Sequence, residues 1–180
     1  MAMLADSPVR AAPGEPTFSA RAVSRTYTPE DLLHLPGGEH FELVNGMLQE
    51  KRMGLATSEV TDRVSRRLGN FVEEQNLGRT PAGECGYQCF PDNPNQVRKP
   101  DHSFTSWDRL PEAEGHEGHV RVAPDLAVEV SSPHDPVREL ETQVAEYLAA
   151  GVRLVWVIPP HAQRDGLSEQ RYGGTDRSGR

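Results

Sequence analysis

Apolar positions in this chain change their spacing several times, and each change marks an element. Thr28-Pro29-Glu30-Asp31 followed by Leu32, Leu33 and Leu35 predicts a short helix. Threonine caps it, proline opens it, and the acids sit in its first turn. Pro36-Gly37-Gly38 stops it. His40–Val44, then Asn45-Gly46, then Met47–Lys51 predicts a hairpin, because Asn-Gly suits a two-residue turn that needs positive φ at both positions. That turn pairs Val44 with Met47, Glu42 with Gln49 and His40 with Lys51. Val60, Val64, Leu68, Phe71 and Val72 share one helical face, so residues 57–75 predict a long helix, capped by Thr57 or Ser58 and closed by Gly78. Residues 83–90 and 97–105 read as strands separated by the turn Pro91–Asn95.

The next stretch is the most regular. Leu126–Val130 predicts a buried strand. Asp135-Pro136 then opens a helix whose apolar face is Val137, Leu140, Val144, Tyr147 and Leu148. Gly151 ends it, and Arg153–Ile158 predicts a second buried strand. Two strands joined by one helix make a parallel crossover, expected to be right-handed. With the hairpin making the sheet mixed, the expectation is an α/β sandwich, three-layered if helices cover both faces.

Composition narrows the class. The chain has 180 residues, 36% of them hydrophobic, with 16 glycines and 15 prolines, enough for one domain with long loops or loose ends. Residues 1–25 read as a disordered N-terminal tail, 26–160 as the domain, and 161–180 as a polar, Arg-rich, disordered tail. No apolar run is long enough for a membrane span, and the first residues lack a secretory core, so the expected compartment is the cytoplasm. The formal charge of −8 argues against a general electrostatic nucleic-acid coat. Of 19 basic residues only Lys51 and Lys99 are lysines, so a mechanism that needs a lysine has two candidates.

Three acids fall inside predicted strands: Glu42, Asp101 and Glu129. A carboxylate among apolar neighbours is costly to bury unless it is paired or binds a cation. Carboxylates that converge repel one another, so one must be protonated or a cation must bridge them. Oxygen ligands with open positions suit Mg²⁺ or Mn²⁺. The plainer alternative is that each acid points to solvent or meets an arginine.

Pro100-Asp101 followed by Glu129-Val130-Ser131 resembles the PD-(D/E)XK nuclease superfamily. Its signature is an Asp at a strand bend, then an acid, any residue and a lysine on the next strand. Longer stretches carry a closer resemblance, in this order: Tyr27–Leu32, Phe41–Gly46, Lys99–Phe104, Pro124–Val130 and Glu146–Trp156. Together they look like the Uma-two family, a bacterial group described as restriction endonucleases, over about residues 26–160. The resemblance implies a restriction endonuclease-like mixed β-sheet core flanked by helices. It implies a Mg²⁺- or Mn²⁺-dependent endonuclease hydrolysing phosphodiester bonds in DNA. Asp101 and Glu129 match its metal-binding acids, the Val130 carbonyl would be a further ligand, and Glu42 matches the acid of the first strand. A homodimer is compatible with it.

This chain departs from the pattern twice. Position 131 is serine, and the family's alternative lysine slot on the following helix is Gln143, which can donate a hydrogen bond but carries no charge. Losing a preorganised cationic donor costs on the order of 10²–10³ in rate. Lys99, two positions from Asp101, and Lys51, on the hairpin, are the candidates for rescue; the plainer reading of each is a solvated surface lysine. The alternative function is a catalytically degenerate member that binds nucleic acid or serves assembly. The second departure follows the Trp156 strand, where family members continue with strand-like sequence. Here His161–Arg180 does not, which predicts a missing edge strand.

The remaining features have structural readings. Cys85, Tyr87 and Cys89 alternate as core or half-core positions. His116, Glu117 and His119, with Glu112 and Glu114, read as a solvated acidic loop. Arg63, Arg66 and Arg67 could touch phosphates, but pairing with Glu59 and Asp62 is the simpler expectation.

Overall fold

The computed structural model describes residues 25–51, 53–110, 117–132, 136–159 and 170–173. The first helix, α1 (Pro29–His34), forms as its cap predicts. Thr28 accepts from the Asp31 amide while the Asp31 carboxylate accepts from the Thr28 amide, which closes a capping box. After a single 3₁₀ turn at Gly38–His40 come β1 (Phe41–Val44) and β2 (Met47–Glu50). Their register is the predicted one, with Val44 opposite Met47 and Glu42 opposite Gln49. Asn45 and Gly46 both take positive φ. The Lys51 amide donates to the His40 carbonyl and extends the ladder by one step.

The long helix α2 runs Leu55–Glu74 and starts two residues earlier than expected. Gly54, not Thr57 or Ser58, is its N-cap, without a side-chain bond, and Thr57 is buried inside the helix. Phe71 leaves the expected apolar face and is exposed, whereas Val60 and Val72 are buried. Gly78 does not close the helix. The left-handed residue is Asn76, and Gly78 belongs to β3 (Gly78–Arg79). A Cβ on Gly78 would lie 2.1 Å from the Thr105 carbonyl oxygen, so this glycine is there for close strand approach.

Residues 83–90 form no regular strand, only isolated bridges such as Tyr87 with Arg98 and with Val120. The predicted strand 97–105 is shortened to β4 (His102–Ser106), because Pro100 interrupts the ladder. Then β5 (Leu126–Val130), α3 (Val137–Ala149) and β6 (Leu154–Ile158) follow as predicted, with α3 starting one residue later and Val137 exposed. The proposed cap, Asp135, lies outside the described residues, as does the tail 1–24.

The hairpin is not part of the main sheet. β1 and β2 form their own two-stranded sheet, and the main sheet runs in the order β3-β4-β5-β6-β7. Its mixed character comes from antiparallel β4–β5, parallel β5–β6 and antiparallel β6–β7 pairing. The final strand, β7 (Gln170–Gly173), falls where the sequence suggested a tail and supplies the edge strand that seemed missing. Its polar residues hid it, since an edge strand needs little apolar surface.

Two helices cover the main sheet. Ala127, Val155 and Val157 pack with Val144 and Tyr147 of α3 on one face. Leu126, Val128, Val130 and Ile158 pack with Val60, Val64 and Leu68 of α2 on the other. The hairpin joins this body through Leu43 and Val97, which exchange backbone hydrogen bonds at 2.9 Å in both directions. Among the described residues no helix is long and apolar enough to cross a membrane.

Candidate active site

Sheet register brings the acids together. His102 pairs with Val128, and one step further along the same antiparallel ladder sets Asp101 opposite Glu129. Alternation along β5 sends Leu126, Val128 and Val130 toward α2, so Ala127 and Glu129 face α3. There Gln143 and Tyr147, four apart on the helix, both donate to Glu129 Oε1 at 2.8 Å. Asp101 sits just before β4, and its Oδ2 accepts from the Val130 amide at 2.7 Å. Both acids are buried, at 4% and 5% exposure.

The remaining oxygens of the pair turn to one cation. Lys51 Nζ lies 2.9 Å from Asp101 Oδ1 and 3.7 Å from Glu129 Oε2, and it also donates to the Lys99 carbonyl. Burial alone would lower the proton affinity of Lys51, but the charges of Glu129, Asp101 and Glu42 outweigh it and raise it. Burial pushes the Glu129 carboxyl up to about 8, with Asp101 and Glu42 adding repulsion and the Lys51 charge opposing.

Glu42 is buried in the same cleft but turned away from this point. Its Oε2 accepts from Arg98 at 2.9 Å and its Oε1 from the Lys99 amide at 2.6 Å. Arg98 also reaches Glu146, which Gln96 bonds at 2.8 Å. The cleft is about 750 Å³ and is lined by Glu42, Lys51, Asp101, Glu129, Gln143 and Glu146, among others.

Residues 29–168 match the family Uma2, described as "Putative restriction endonuclease". The chain belongs to the Uma2 family. A crystal structure from Anabaena variabilis ATCC 29413, of "a putative nuclease belonging to DUF820", is similar to it with a TM-score of 0.64. The two are 22% identical, over 82% of this chain and 80% of that one. No curated protein matches the chain. The restriction endonuclease-like mixed sheet flanked by helices, implied by the resemblance, is the fold of this Uma2 chain.

Against that family pattern, Asp101 and Glu129 meet as expected and Gln143 touches Glu129. Val130 contributes its amide hydrogen to Asp101. Glu42 lies on the same side of the sheet, but a guanidinium and a peptide N–H occupy its two oxygens. Lys99 does not reach the acid pair through its side chain. Its ammonium is pinned to the Gly38 carbonyl at 2.8 Å and the Glu39 carbonyl at 3.1 Å. The two-residue face rule fails for Lys99 because residues 99–101 are not regular strand. Lys51 is the lysine that arrives, although it was readable as solvated. Tyr147 was expected only as core. Its four-residue spacing from Gln143 was the available signal that both would face Glu129.

The donor set fits a divalent ion of the Mg²⁺ kind. Such ions commonly take one or two carboxylates and keep several waters. Asp101 Oδ1, Glu129 Oε2 and the Lys99 carbonyl oxygen already converge on a single cation, the Lys51 ammonium. Among the described residues no three His, Cys, Asp or Glu side chains form a ready cage, so an ion here would lean on this carbonyl and on water.

Other predicted features resolve simply. Cys85 and Cys89 are half-buried, and burial raises the proton affinity of both thiols, the latter to about 11, which makes them poor nucleophiles. Arg66 pairs with Asp62 at 3.2 Å on the exposed face of α2. His119 hydrogen-bonds the Pro29 carbonyl at 3.0 Å, while Glu112, Glu114 and His116 lie outside the described residues.

Removing the Tyr147 hydroxyl tests the Glu129 environment. Tyr147→Phe leaves Gln143 to donate to Glu129 Oε1, a buried carboxylate oxygen, and is expected to cost about 1–3 kcal/mol. Urea unfolding reads the change, and an unaltered midpoint would show that the hydroxyl does not support the acid.

Proposed function

We propose that this chain is a divalent-metal-dependent endonuclease that hydrolyses phosphodiester bonds in DNA. The observation that carries the reading is the convergence of Asp101 Oδ1 and Glu129 Oε2 on one cation in the cleft of a Uma2-family fold. Asp101 and Glu129, helped by the Lys99 carbonyl, would hold Mg²⁺ or Mn²⁺, which supplies Lewis-acid polarisation of the phosphodiester and an activated water.

The chain's own residues do the rest by holding geometry. The Val130 amide fixes the Asp101 carboxylate. Gln143 and Tyr147 fix Glu129 and leave its second oxygen turned into the cleft. Glu42 anchors residue 99 by accepting from its N–H, and the carbonyl of the same residue, on the next peptide, accepts from Lys51 beside the acid pair. Gln143 orients an acid without adding charge, and Lys51 brings the positive charge that position 143 lacks.

Purified protein incubated with supercoiled DNA and Mg²⁺ or Mn²⁺ should nick it, and EDTA should stop the reaction. A wild-type protein that never nicks, beside a Gln143→Lys variant that does, would instead support a degenerate member that binds without cutting. A folded protein with no nicking in either form would end the nuclease reading.

A further inference from the structure

The two oxygens of the acid pair that remain for an external ion are already in use. Asp101 Oδ2 is taken by the Val130 amide, and Glu129 Oε1 by Gln143 and Tyr147. That leaves Asp101 Oδ1 and Glu129 Oε2, and both face Lys51 Nζ. The Lys99 carbonyl is the third oxygen on the same nitrogen. A Mg²⁺ ion sits about 2.0–2.1 Å from its oxygens, so it and the ammonium cannot share that seat.

We propose that Lys51 is the resident cation of this site: its ammonium holds the seat among Asp101, Glu129 and the Lys99 carbonyl, and a divalent ion binds by displacing it. The inference rests on the metal-site reading above and goes beyond it by assigning an internal competitor. Two buried carboxylates side by side repel unless one is protonated or a cation bridges them. Lys51 serves as that cation before the ion arrives. Lys99 cannot, because its ammonium is committed to Gly38 and Glu39, and Arg98 cannot, because it is committed to Glu42 and Glu146. Lys51 stands just past the end of β2, with its side chain 21% exposed, and it borders both the main cleft and a neighbouring one beside His40 and Glu84. The displaced ammonium therefore stays tethered beside the acids, where it can meet a phosphate.

Calorimetric titration with Mn²⁺ alone tests this. Lys51→Met and Lys51→Gln should bind Mn²⁺ at least about tenfold more tightly than wild type, the equivalent of one pKa unit of lost competition. Lys51→Arg should bind no more tightly than wild type. Equal or weaker binding by the folded Met and Gln variants overturns the competition and leaves the metal site standing. Absence of Mn²⁺ binding in wild type and every variant ends the metal-site reading, and this inference with it. A measurement on wild type covers the case in which the variants do not fold. Acetylation of Lys51, followed by peptide mass with the pinned Lys99 as reference, should rise when Mn²⁺ is added. Unchanged Lys51 labelling at saturating Mn²⁺ contradicts displacement.

Discussion

Asp101→Asn is expected to keep the fold and to lose DNA nicking by about 10²–10³-fold, the scale of removing a preorganised charge stabiliser from an active site. Asparagine is isosteric, and its one carbonyl oxygen can still accept from the Val130 amide, which Asp101 now satisfies at 2.7 Å. The amide nitrogen then faces Lys51. Two donors meet, so the ammonium shifts toward Glu129 and the Lys99 carbonyl, its other present partners. Loss of one hydrogen-bonded charge pair costs about 1.5–3 kcal/mol, partly offset by removing repulsion between adjacent buried carboxylates. What disappears entirely is one of the two anionic oxygens available to a divalent ion. A gel assay on supercoiled DNA, paired with a thermal melt, separates the two effects. Nicking at the wild-type rate by folded Asp101→Asn would remove Asp101 from the chemistry.

The largest expected effect on stability belongs to Arg98→Met. Arg98 is 5% exposed and links three elements: the hairpin through Glu42, its own segment, and α3 through Glu146. Burial alone would lower its proton affinity, but Glu42 and Glu146 more than reverse that. Methionine keeps much of the volume and removes the charge, leaving Glu42 buried with the Lys99 amide alone. Breaking a buried pair from one side costs about 3–5 kcal/mol, because an uncompensated charge stays behind. The double variant Arg98→Met, Glu42→Gln should recover part of this loss in chemical unfolding, since no buried charge is then orphaned at the hairpin. A single-variant cost below about 1 kcal/mol, the range of exposed pairs, would mean that solvent reaches the network.

Much of this fold was legible where local chemistry decides it. The capping box at Thr28 and Asp31, the Asn45-Gly46 turn and the β5–α3–β6 crossover are each set by residues close in sequence. The start of α2 was not, because Gly54 supplies no side-chain signal and Thr57 only imitates a cap. β7 was hidden by its polar composition. Residues 83–90 alternate like a strand, yet only isolated bridges form there, since long-range partners decide pairing.

The site divides in the same way. Glu42, Asp101 and Glu129 stood out as acids in apolar strands. That Asp101 and Glu129 are cross-strand neighbours follows from the β4–β5 register, which the sequence does not state. Which cation would serve Glu42, and which the acid pair, depended on how the hairpin docks through Leu43 and Val97. Arg98 took the first and Lys51 the second.

The most direct test is a crystal grown with Mn²⁺ and measured at an energy where manganese scatters anomalously. The account predicts an anomalous peak bound by Asp101 Oδ1 and Glu129 Oε2, with the Lys51 ammonium moved off both. Carboxylates still bridged by Lys51 at saturating Mn²⁺, with no peak between them, would contradict it.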